Sequence, residues 1–231
     1  ATKPEETPIF VDEKTSHDTS AITDETTRNA IDAVINRAKV EGVAGAVDES
    51  ALVKSAVSAD EVSAANKVDV EIKVDVKVTG ADLTSENKTL TFTATPVATI
   101  KVDNVERATG VSVPNSLLNG EITVKLPLPT GFTPKQILHK FTGGGYEYFI
   151  NKDEGSKLGA KQFTVDSDNC AVFTITKFST FELSGTVTYV EPSYSSGSSY
   201  DPTYSVTVDK TKNGSVTVSP KSASKGDTVT V

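Results

Sequence analysis

Val68-Asp69-Val70-Glu71-Ile72-Lys73-Val74-Asp75-Val76-Lys77-Val78 decides the fold class of this chain. Six β-branched apolar residues alternate without a break with five charged ones. Successive side chains of a strand point to opposite faces, so the stretch has one dry face and one wet face. A helix would scatter the same apolar residues around its axis. The stretch is therefore expected to be a central strand, with Val70, Ile72 and Val74 buried. Its charged row, Asp69, Glu71, Lys73, Asp75 and Lys77, is expected to be a solvated face.

On its N-terminal side the chain reads as mixed or helical. Residues 1–22 are polar, with Pro4, Pro8 and a short apolar patch at Ile9, Phe10 and Val11; they predict a loose lead-in and a short strand. Thr23-Asp24-Glu25 supplies a capping hydroxyl followed by first-turn acids. Ile31, Val34, Ile35 and Ala38 follow at helical spacing, and Gly42 offers a stop, so the spacing predicts a helix over 24–41. Ser58-Ala59-Asp60-Glu61 has capping-box spacing. One or two short helices are expected over 48–66, with a strand as the alternative at 50–57.

On its C-terminal side the chain reads as strands and turns. Leu90–Ala94 and Ala98–Val102 are expected as strands interrupted by Pro96, and Val111–Val113 as a short piece stopped by Pro114. Ile122, Val124, Leu126 and Leu128 alternate inward, with Pro127 and Pro129 suggesting a sheet edge. Gln136–Phe141 and Tyr146–Ile150 flank Thr142-Gly143-Gly144-Gly145, a hairpin whose glycines supply positive φ. Gln162–Val165 and Cys170–Lys177 flank Asp166-Ser167-Asp168-Asn169, a second hairpin with Asx-turn chemistry. Thr180–Leu183 completes the set. Short strands punctuated by turns predict a mainly β fold with a helical N-terminal portion (α+β), arranged as an antiparallel β-sandwich over 1–184.

Residues 185–203 change character: Gly185–Val190 could form a last strand, and Glu191–Pro202 is Ser-rich and lacks apolar periodicity, as a linker does. Residues 204–231 read as a small β repeat: Tyr204–Val208 and Ser215–Ser219 flank Asn213-Gly214, a strong hairpin signal. A further strand starts at Thr228, so the repeat is expected to be truncated and the chain to be cut from a longer protein. An Ala1 start with Met 0 suggests a processed product whose export signal is gone.

Composition narrows the function. A net charge of −8 argues against nucleic acid, which needs a Lys/Arg excess to neutralise phosphate. The single cysteine, Cys170, allows no intrachain disulfide. No apolar run is long enough for a membrane span. No hydrolase, metalloprotease or nucleotide-binding signature occurs, so no catalytic residue, cofactor or enzyme activity is expected. His17 and His139 are the only histidines, and Cys170 opens a strand as a small buried hydrophobe. Asp153, Asp166 and Asp168 are the metal candidates, because their turns place oxygens at alternate positions. Neither turn completes a calcium loop, and an Asp/Asn turn held by its own side chains explains both more simply. Tyr146 and Tyr148 share one strand face and are the candidate ligand-contact aromatics, against a packing role.

Two segments resemble known surface proteins. Tyr204–Val231, with its Asn-Gly turn and Lys225-Gly226-Asp227-Thr228-Val229-Thr230-Val231, resembles the opening of the internalin-type divergent B repeat. Lys125–Phe132, the Gly-rich hairpin and Ala171–Leu183 resemble the closing half of β-domains in Gram-positive proteins associated with S-layer homology modules. Lys177 stands where that pattern often has His. The resemblance implies an extracellular, non-enzymatic module of a bacterial surface protein, serving display or adhesion and held to the cell wall by segments outside this chain. Its alternative is a ligand-binding domain that captures a host protein or a glycan. It also brings in the Lys–Asn isopeptide bond some such domains carry, whose partners sequence alone cannot pair.

Overall fold

The structure is a computed structural model that describes residues 6–186 together with Tyr204–Ser205 and Ser222–Ala223. Its centre is β3 (Val68–Asp82), the alternating stretch. On one side β3 runs parallel to β1 (Ile9–Asp18), with Ile9 opposite Val68 and Asp18 opposite Lys77. On the other it runs antiparallel to β4 (Thr89–Val102), with Val68 opposite Val102 and Asp82 opposite Thr89. The six apolar residues from Val68 to Val78 are at most 1% exposed. The charged row lies on the wet face, where Lys67–Asp69, Lys14–Glu71, Lys73–Asp75 and Asp18–Lys77 form ion pairs. Two strands outrun the sequence reading. β3 continues past a bulge at Val78/Gly80, and β1 is ten residues long because its polar positions face water and ion-pair with β3.

Pro96 does not interrupt β4. Its carbonyl accepts from Val113 N at 3.3 Å, so its main-chain groups face away from β3. It also falls where β4 changes lateral partner. β11 (Thr180–Ser184) stops with Thr180 opposite Thr93, and β5 (Val105–Ser112) begins pairing with Ser112 opposite Val97. A missing N–H at that gap removes no ladder bond. β5 is also longer than the short piece expected at 111–113. Asp103 (φ 49°) and Asn104 (φ 67°) make a two-residue turn from β4 directly into it.

The remaining strands are β6 (Ile122–Pro127), β7 (Gln136–Lys140), β8 (Tyr146–Asn151), β9 (Lys161–Val165) and β10 (Cys170–Ile175). With β2 (Lys39–Glu41) and the strands already described they form one sheet of 11 strands, ordered β1-β3-β4-β11-β7-β8-β9-β10-β6-β2, with β5 branching from β4. The fold is mainly β with a helical N-terminal portion, as expected, but the sandwich is replaced by a single curled sheet close to a barrel. The reason is lateral: β11 pairs with both β4 and β7, and β9 with both β8 and β10, so no edge separates two sheets. The hairpins at Gly143–Gly145 and Asp166–Asn169 form as predicted. β6 is not the edge, because β2 covers it.

The helix expected over 24–41 is overturned. α1 (Glu25–Asp32) is followed by a 3₁₀ turn at Ile35–Arg37, then β2, then α2 (Val43–Ala46). Val34 leaves the helical region at φ −125°, and Val40 lies opposite Val124 of β6. Gly42, at φ +91°, opens α2 instead of stopping a longer helix. Asp24, not Thr23, caps α1, accepting from Thr27 N at 2.7 Å. Ile31, Val34, Ile35 and Ala38 are nevertheless all buried. α3 (Glu49–Lys54) settles the 50–57 alternative in favour of helix, and Ser58 caps α4 (Ala59–Ala64) through Glu61 N. Ile31, Leu52, Val53 and Val57 join the inward strand faces in one core with Phe92, Phe149, Phe163, Phe173 and Phe181.

The chain divides into two units, Ala1–Glu191 and Pro192–Val231. In the second, β12 (Tyr204–Ser205) pairs antiparallel with β13 (Ser222–Ala223). The rest of the expected Asn-Gly hairpin, the strand at Thr228 and most of the linker lie outside the described residues. Among the described residues no helix is long and apolar enough to cross a membrane.

Candidate functional site

A groove of about 610 Å³ lies where the sheet's two ends approach each other. Its physical origin is in β1. Val68 N donates to Pro8 O at 2.9 Å, which sets the ladder phase. The main-chain groups of Phe10, Asp12, Lys14 and Ser16 then face β3, and those of Val11, Glu13, Thr15 and His17 face the other way. Across the gap stands β2, and side chains make the junction. Both Glu13 carboxylate oxygens accept main-chain amides, Gly42 N at 2.8 Å and Ala44 N at 2.7 Å. Thr15 Oγ1 accepts from Val40 N at 3.0 Å, and His17 Nε2 lies 3.3 Å from Ala38 O. Every second residue of β1 thus hooks every second main-chain position of the facing segment. The seam follows an antiparallel register without a backbone ladder.

Two residues the sequence left unconnected, His17 and Cys170, line this groove together. They do not make a nucleophile pair. Cys170 is 1% exposed, its Sγ lies 3.8 Å from Asp168 O and 4.0 Å from Arg37 O, and burial followed by the Asp166 charge pushes the thiol up. A thiol held protonated is a poor nucleophile, and His17 is engaged with Ala38. The reading of Cys170 as a small buried hydrophobe agrees with its surroundings.

The metal candidates are spread out. Asp166 Oδ1 accepts from Asp168 N at 3.0 Å and Cys170 N at 2.9 Å, which closes the β9–β10 turn. Arg37 donates to Asp168 O at 2.5 Å and ties that turn to the segment before β2. Asp153 lies in a separate 3₁₀ turn, where its amide donates to Asn151 Oδ1 at 3.1 Å. Among the described residues no three His, Cys, Asp or Glu side chains converge as a metal site would need. The side chains of Asn115, Asn151 and Asn169 each donate to main-chain carbonyls distant in sequence (Phe178, Pro134 and Leu128), tying separate segments together.

Tyr146 and Tyr148 do share the outward face of β8. Tyr146 is 63% exposed, and the rings meet edge-to-face with centroids 5.1 Å apart. Cross-strand, Tyr146 faces Lys140, whose ammonium pairs with Glu182 at 2.7 Å. The patch offers one open ring beside a charged donor and a charged acceptor.

The sequence reading missed the most unusual polar group. His139 is fully buried, stacked on Phe181 at 4.3 Å and edge-on to Phe141 at 4.8 Å. Its Nδ1 donates to Glu147 Oε1 at 2.9 Å, and Lys161 holds Glu147 Oε2 at 2.6 Å. Nε2 is buried with no partner among the described residues. Burial pushes the Glu147 carboxyl up, but the hydrogen bonds from His139 and Lys161 outweigh it and hold the group below its ordinary range. The strand position of His139 was legible; its partner was not, because Glu147 comes opposite only through the hairpin register.

No protein-family profile, curated protein or solved structure matches the chain.

Proposed function

We propose that the chain is a non-enzymatic extracellular module of a Gram-positive bacterial surface protein, serving structural display or adhesion, with cell-wall attachment supplied by segments outside it. The observation that carries this reading is where the polar groups go. In the groove between β1 and β2, Glu13, Thr15, His17, Arg37 and Asp166 all bond backbone. They hold the sheet together instead of converging on a substrate position. The acidic surface and lone buried thiol fit an exported spacer, and the two-unit chain fits modular construction. Antibody against the chain should label intact cells of the producing organism. Labelling that appears only after lysis would overturn the proposal.

A second reading, capture of a glycan or host protein, has one specific support: the open Tyr146 ring beside Lys140 and Glu182. Aromatic faces stack on sugar rings, and the ion pair supplies hydrogen bonds of both kinds. A glycan array probed with the chain and with Tyr146→Ala tests it; binding that survives the substitution removes this patch from consideration.

A further inference from the structure

We infer that the β1–β3–β4–β11 wall is a mechanical clamp, arranged so that tension on the chain shears its ladders instead of unzipping them. The strand directions give the argument. β1 is parallel to β3, β3 antiparallel to β4, and β4 antiparallel to β11. The strand by which the chain enters the sheet is therefore parallel to the strand by which it leaves.

The ends of those strands lie at opposite ends of the wall. Ile9 is level with Val68 and Val102, while Ser184 is level with Thr89 and Asp82. Between those levels runs the whole of β3, 15 residues, or about 50 Å at ~3.3 Å per residue. Pulling residues 8 and 185 apart draws β1 and β11 in opposite directions along their own axes. Hydrogen bonds between strands lie across such a pull, so the β1–β3 ladder is loaded as a set. In the alternative geometry, force across the strands would load one bond at a time.

Side chains reinforce the sheared interface on both flanks. Toward β3, Lys14–Glu71 and Asp18–Lys77 bridge the strands, and Ser16 donates to Asp75. Toward β2, Glu13, Thr15 and His17 hook the 38–44 segment. Before β1, Thr7 Oγ1 donates to Val62 O at 2.8 Å. The biological use of the clamp rests on the surface-module reading, since a tethered spacer is pulled by its ends; the geometry does not depend on it.

The test is single-molecule force spectroscopy of the full chain in two tethers. The first pulls through the N- and C-termini. The second pulls through a thiol handle at exposed Ser20, as Ser20→Cys, and the C-terminus; Cys170 is buried in the fold. The second tether grips β1 at its far end, level with the start of β11, and peels the strand sideways. The end-to-end tether should unfold the 9–184 body in one step, releasing roughly 550–600 Å at about 3.5 Å per residue. Its rupture force should be at least about twice that of the Ser20 tether at equal loading rate. Equal forces, a weaker end-to-end tether, or β1 detaching alone at low force would each overturn the clamp. Any of these leaves the surface reading to stand or fall on cell labelling.

Discussion

Replacing Glu13 by alanine removes two hydrogen bonds at once, to Gly42 N at 2.8 Å and Ala44 N at 2.7 Å. A hydrogen bond to a charged group contributes about 1.5–3 kcal/mol. The first is exposed and the second partly buried, so water takes over part of both. The expected loss is about 2 kcal/mol, or about 4–8 °C in Tm for a domain of this size. Glu13→Gln keeps one carbonyl oxygen and can accept only one of the two amides well, so it should lose about half as much. Urea unfolding gives the energies. Amide exchange gives the location: Val40, Gly42 and Ala44 should lose protection while β3 and β4 keep theirs. If both variants fall within the ±0.5 kcal/mol or so of an ordinary surface change, the side-chain hooks do not hold the seam and the account is wrong.

Ile72 is fully buried in the central strand, so Ile72→Ala should cost about 2–5 kcal/mol by urea denaturation, whereas Lys73→Ala on the wet face should stay within about 0.5 kcal/mol. Glu147 sits below its ordinary range when folded, so its contribution is present above its unfolded value and is lost as pH falls through the lower folded one; a stability–pH curve should fall below about pH 4.5, and Glu147→Gln should flatten that limb. Asp18, lowered to about 2 by its hydrogen bonds with Ser20 and by Lys77, adds to the same acid limb. Cys170 should resist an aromatic disulfide reagent in the fold and release one thiol equivalent on denaturation; rapid labelling of the folded chain contradicts its burial. Chelator should leave Tm unchanged, and a drop of several degrees would give Asp166 and Asp168 a metal-binding role.

What was legible in the sequence follows from how local each interaction is. The period-two pattern at Val68–Val78 located the central strand, because alternation alone decides which face is dry. The hairpins at Gly143–Gly145 and Asp166–Asn169 were legible because turn chemistry lies within a few residues. The 24–41 segment misled. Ile31, Val34, Ile35 and Ala38 are buried in either reading, and what ends the helix is the pairing of Val40 with Val124, a partner far along the chain. The single curled sheet was illegible for the same reason: β11 joins β4 to β7, and no local pattern announces a strand's lateral neighbours. The seam and the His139–Glu147–Lys161 cluster likewise exist only once distant strands are set in register.

The ladder around β3 also sets the order in which the molecule assembles. β3–β4 and β4–β5 are hairpins that close through short turns, as are β7–β8 and β9–β10. β1 must find β3 across the helical segment, and β11 must find β4 across most of the C-terminal strands. Loop closure makes such pairings late and slow. The strands that seal the wall are therefore the last to arrive, and until they do the long apolar face of β3 is open along one edge. Refolding should show a fast hairpin phase and a slow closing phase. In that interval the unsealed edge of β3 is the place where two chains would stick together.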